Sequence, residues 1–87
     1  MTKFQGAVIS EQGQKFAIVV VKRHILQMQS QAREAILNFS GFFPGIPVVL
    51  MAQDSKGVPT YYGRPDIAKF LSRVPMSAIP WKEYTVS

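Results

Sequence analysis

Lys15-Phe16-Ala17-Ile18-Val19-Val20-Val21-Lys22-Arg23-His24-Ile25 is the stretch from which the fold can be read. Its apolar part, Phe16 to Val21, is β-branched or aromatic at nearly every position and does not alternate with polar residues. A strand with one face in water alternates, so this pattern predicts a central strand covered on both faces. The run is far shorter than the roughly 20 residues of a membrane span. It ends at the basic triplet Lys22-Arg23-His24, after which the apolar period changes.

From Ile25 onward, Ile25, Met28, Ala32, Ala35, Ile36 and Phe39 fall on one side of a helical projection, and Gln27, Gln31, Glu34 and Asn38 on the other. That spacing predicts an amphipathic helix from Ile25 to Phe39. Gly41 stands where a helix ends, and Pro44 and Pro47 forbid its continuation. Upstream, Phe4 to Ile9 is β-favouring and is joined to the central strand through Ser10-Glu11-Gln12-Gly13, a polar segment closed by glycine, as in a hairpin turn.

Downstream the pattern repeats. Ile46 to Gln53 reads as a strand with Pro47 near its start. Asp54-Ser55-Lys56-Gly57 has the residues of a type I turn, and Val58 to Tyr62 returns as a strand. Pro65 suits a first helical position and Asp66 the first turn. Ile67, Phe70, Leu71 and Val74 give that helix an apolar side until Pro75 stops it. Trp81, Tyr84 and Val86 lie beyond, so residues 75–87 are expected to form a tail packed on the body.

The order β-β-α-β-β-α defines an α+β fold. The strand-helix-strand unit from Phe16 to Met51 requires a right-handed crossover and makes its two strands parallel. The expected sheet is therefore four-stranded and mixed, with a parallel central pair and two helices mainly on one face. At 87 residues, residues 1–87 fit a single domain, within which 1–39 and 46–74 read as a ββα repeat. Two helices on one face leave the other face of two apolar strands bare. Either the tail covers it or a second copy does, and a homodimer is the expectation.

Lys and Arg total 10 against 5 acids, a formal charge of +5, which favours anionic partners. The basic residues are spread along the chain. Cysteine is absent, which removes disulfides, thiolate metal sites and thiol nucleophiles. One histidine and five separated acids make no metal-ligand set, and no glycine-rich phosphate loop precedes a helix. No cofactor is expected. The opening residues contain no apolar leader segment, and the expected location is the cytoplasm.

The candidate ligand or anion site is Lys22, Arg23, His24 and Arg64. The triplet falls where a central strand meets a helix, at the carboxyl end of a parallel pair, where open sheets commonly bind anions. The alternative is that it marks the solvated end of an apolar strand. A nucleic-acid reading uses Lys69 and Arg73, four apart on one helix, with Tyr62 and Trp81 for base stacking. An enzyme reading rests on His24 with Asp54 as its partner and ranks last, because turn chemistry already accounts for Asp54. No catalytic constellation is identified.

Gly45-Ile46-Pro47, the apolar strand after it, the Asp54 turn, the strand ending at Gly63 and the closing helix together resemble the C-terminal half of thioredoxin-like proteins. The resemblance covers about half the chain and implies a cis bond before Pro47, with Ile46 beside the family's redox site. The family's Cys-x-x-Cys is absent, so no redox activity is implied.

Overall fold

A computed structural model describes residues 2–11 and 13–86. In chain order the elements are strands β1 (Thr2–Glu11) and β2 (Gln14–Val20), helices α1 (Arg23–Gln27) and α2 (Gln29–Ser40), strands β3 (Val48–Gln53) and β4 (Pro59–Tyr62), helix α3 (Pro65–Leu71), a 3₁₀ turn at Met76–Ala78, and strand β5 (Lys82–Val86).

The sheet is α+β and mixed as expected, but it has five strands, in the order β4-β3-β2-β1-β5. β2 and β3 pair in parallel, Ala17 opposite Val48 through Val20 opposite Met51, and the remaining pairs are antiparallel. Of the first turn read from the sequence, Gln12 lies outside the described residues, and Gly13 has a φ of 79°, which suits a residue without Cβ. In the second turn Gly57, at φ 82°, donates its amide to Asp54 O at 3.0 Å. The Asp54 side chain reinforces that turn: Oδ1 accepts from Lys56 N at 2.8 Å and Val58 N at 2.9 Å. The chemistry read from the sequence for this second turn is present atom by atom.

Three expectations are corrected. The sheet has five strands rather than four because residues of the tail form β5, which pairs with the first half of β1 from Thr2–Val86 to Gly6–Lys82. The first helix is two helices, since Met28 adopts an extended conformation, φ −118° and ψ 115°, and breaks the run after Gln27. Most important, the helices do not share one face. α1 and α2 cover the face formed by Ala17, Val19, Val48 and Leu50, together with Phe43. Ile67 and Leu71 of α3, with Ile79, cover the face formed by Ala7, Phe16, Ile18, Val49 and Met51.

The reason is visible in β2 and β3. Ile18, Val19, Val49 and Leu50 are all wholly shielded, and each buried side chain of this size contributes about 1.5–3 kcal/mol. A single helical layer forfeits half of that. The chain therefore sends α3 to the other side of the sheet, and the bare face that motivated a homodimer is covered by the chain itself. The Cα radius of gyration is 12.2 Å, close to the roughly 12 Å of a compact fold this long.

The tail is anchored before it becomes β5. Ile79 is buried in the α3-side core, and Trp81 Nε1 donates to Met76 O at 3.1 Å. The β3-β4-α3 unit follows the order that the thioredoxin-like resemblance implies, but no cis peptide bond occurs among the described residues. Pro47 is trans, and its carbonyl accepts from Ala17 N at 2.9 Å. It thereby serves the parallel ladder at the point where β3 begins.

Candidate functional site

β2 and β3 both end near Val20 and Met51, and Val21 N extends the ladder to Met51 O at 2.8 Å. Past that point the chain leaves β2 and enters α1 with Lys22 as its N-cap residue. Lys22, Arg23 and His24 are all exposed, so the triplet stands at the carboxyl end of the parallel pair, as the sequence implies.

Arg23 lines a pocket of about 170 Å³ together with Leu26, Gln27, Ala52, Asp54 and Thr60. Leu26 and Gln27 come from α1, Ala52 and Thr60 from adjacent positions in the β3–β4 ladder, and Asp54 from the turn between those strands. The pocket is more than large enough for a phosphate or carboxylate group, since a water molecule takes about 30 Å³. Its polar lining offers a guanidinium, an amide, a hydroxyl and a carboxylate.

Electrostatics separate the residues that the sequence grouped. Among the described residues the ion pairs are Lys3 Nζ–Glu83 Oε1 at 3.8 Å and Arg64 Nη2–Asp66 Oδ2 at 2.8 Å. Arg23 shares a pocket with Asp54 without pairing with it, and among the described residues Lys22 has no carboxylate within ion-pair distance. Arg64 is different: its Nε also reaches Asp66 Oδ1 at 3.2 Å, a two-pronged contact that holds the Asp66 carboxyl below its ordinary pKa. Arg64 is also elsewhere in the molecule. Tyr62 pairs with Leu50, so Arg64 follows β4 toward the amino end of β3, away from the triplet. It does not join the site.

His24 is not among the residues lining the pocket. Asp54 is therefore brought to Arg23 rather than to His24, and its Oδ1 is occupied by the turn amides. The acid–base pair of the enzyme reading is not assembled. The stacking residues of the nucleic-acid reading are also divided. Tyr62 packs with the α2-side core and Trp81 with the α3-side core, on opposite faces of the sheet. Lys69 and Arg73 are exposed on and just after α3.

Sequence reasoning missed Leu26, Gln27 and Thr60 as pocket residues. Gln27 and Thr60 carry no motif, and their relation depends on the β3–β4 register. Among the described residues no group of three His, Cys, Asp or Glu is arranged to hold a metal, and no helix is long and apolar enough to cross a membrane. No family model matches the chain, and neither a curated protein nor a solved structure shows significant similarity to it.

Proposed function

We propose that the protein is a non-catalytic binding module whose contact surface is the basic junction at the carboxyl ends of β2 and β3. An acidic group of the ligand or partner meets Arg23 at the pocket, with Lys22 and His24 beside it. The observation that carries this reading is the Arg23 guanidinium on the wall of a pocket, without an ion-pair partner among the described residues, in a molecule whose Arg64 is paired with Asp66. An arginine of that kind retains its full fork of donors for a carboxylate or phosphate. On this reading the module acts as a monomer, because its own helices cover both faces of the sheet.

Nucleic acid is one anionic partner among others. The separation of Tyr62 from Trp81 removes the base-stacking half of that reading and leaves phosphate contact alone. The test is fluorescence anisotropy of labelled single- and double-stranded oligonucleotides and of a labelled poly-glutamate peptide, from low to physiological salt. Binding of at least one probe, weakened about tenfold by Arg23→Gln, supports the junction. A steep salt slope confined to the oligonucleotides selects nucleic acid. Absence of binding by every probe at low salt overturns the reading.

A further inference from the structure

The edge of the sheet at β1 is only half occupied. β5 pairs with β1 up to Gly6–Lys82, and there the chain turns away through Trp81 and Pro80. The second half of β1 pairs with β2, Ala7 with Ile18 through Glu11 with Gln14, but among the described residues no strand lies on its outer side.

The phase of the ladder identifies the backbone groups left facing outward. Ala17 N donates to Pro47 O and Val21 N to Met51 O, so the odd-numbered residues of β2 bond toward β3 and the even-numbered ones toward β1. Their partners Ala7, Ile9 and Glu11 point back at β2. Val8 and Ser10 therefore direct their N–H and C=O groups to the open side, and both residues are exposed.

Next to this edge lies a groove of about 340 Å³ lined by Val8, Ile9, Ser10 and Glu11 of β1 and by Phe70, Val74, Ala78 and Pro80. It runs on the α3 side. On the other side, register places Lys82 level with Gly6 and Lys15 level with Ser10, so two exposed lysines flank Val8 along that face.

We propose that Ala7–Glu11 is a strand-addition edge for an extended peptide segment of a partner, one that alternates apolar and acidic side chains. Its backbone completes the hydrogen bonds of Val8 and Ser10 in line with β5. Side chains opposite Ile9 enter the apolar groove, and acidic ones opposite Val8 and Ser10 meet Lys15 and Lys82. Backbone pairing supplies affinity in this mode and alternate pockets supply specificity. The charge of the two lysines determines which peptide fits. The edge lies at the opposite end of β2 from the Arg23 pocket, and the proposal does not rest on the reading of that pocket.

The probe is a labelled, end-capped heptapeptide, Glu-Val-Glu-Val-Glu-Val-Glu, titrated into the protein by anisotropy and by amide chemical-shift mapping. The expected result is saturable binding, with shifts centred on Val8, Ser10 and the groove, weakened about tenfold or more when lysine replaces glutamate in the peptide. Val8→Pro removes an outward donor without touching the β1–β2 ladder, and it should weaken binding by a similar factor. Ala78→Arg, at an exposed position on the groove wall, should do the same and serves as the check if the proline variant unfolds. No binding, equal binding of the lysine peptide, or shifts centred on Arg23 overturns the proposal. So does a dimer in light scattering that Val8→Pro or Ala78→Arg abolishes, since a second copy then occupies the edge.

Discussion

Arg64 grips Asp66 through both carboxylate oxygens, at 3.2 Å and 2.8 Å, whereas Arg23 shares a pocket with Asp54 and forms no ion pair with it. Two arginines that look equivalent in the sequence thus differ in the charge they offer a partner. The Asp54 Oδ1 is held by the amides of Lys56 and Val58, which fixes that carboxylate in the turn.

The Arg64–Asp66 contact sets a direction for titration. Asp66 has its pKa lowered, first by the Arg64 hydrogen bond. A carboxyl depressed in the folded state contributes stability that is present above its unfolded pKa and lost as pH falls through the folded one. Carboxyl-carbon NMR should find the Asp66 midpoint below that of an ordinary aspartate, and Arg64→Gln should raise it. An unmoved midpoint contradicts the contact. The pair is exposed, so the effect on global stability is small.

Gly6 sits where β1, β2 and β5 run side by side. A Cβ built there meets Ile18 O at 2.7 Å, and that neighbour is backbone, which cannot swing aside. Gly6→Ala should cost about 1–3 kcal/mol in urea unfolding through local overpacking. Wild-type stability in the variant contradicts the five-stranded register.

Tyr61 points its hydroxyl into the α3-side core, where the oxygen is buried and has no hydrogen-bond partner among the described residues. Burial also raises the phenol pKa. Removing an unsatisfied group relieves its desolvation cost, so Tyr61→Phe should leave the melting temperature unchanged or raise it. A loss of about 1 kcal/mol or more indicates a partner for the hydroxyl.

Ile79 tests whether the tail is part of the core and whether the chain covers its own sheet. Ile79→Ala should cost about 2–4 kcal/mol. The melting temperature of the unaltered protein should not depend on its concentration, since no second copy is needed over either face. A near-neutral Ile79→Ala or a melting temperature that rises with concentration contradicts this description.

Much of this was legible in the residues. Phe16 to Val21 announced a doubly buried strand because only such a strand can be apolar at every position. Asp54 and Gly57 announced their turn because few other residues satisfy its amides and its positive φ. The break at Met28 was not legible, since neither proline nor glycine marks it, and the Ile25–Phe39 stripe continues across it. β5 was legible in part: Tyr84 and Val86 alternate with polar residues, as at an edge, but Pro80 and the position after the last helix suggested a tail. The side taken by α3 follows no handedness rule, because it succeeds an antiparallel strand. The double-sided apolarity of β2 and β3 nonetheless required a cover that α3 was available to provide. The pocket around Arg23 depends on pairing register, which a single sequence does not display; the grouping of Arg64 with Arg23 failed for the same reason.

Two charge reversals of equal size test the basic junction most directly. Lys22→Glu with Arg23→Glu and Lys69→Glu with Arg73→Glu lower the net charge of +5 by the same amount, one pair at the junction and the other at α3. With the labelled oligonucleotide and poly-glutamate probes at low salt, the junction variant should lose affinity by about tenfold or more while the α3 variant stays within about threefold of wild type. Equal losses in the two variants would mean that the anion reads only total charge, and a loss confined to the α3 variant would place the contact on the other side of the sheet; either result contradicts the assignment.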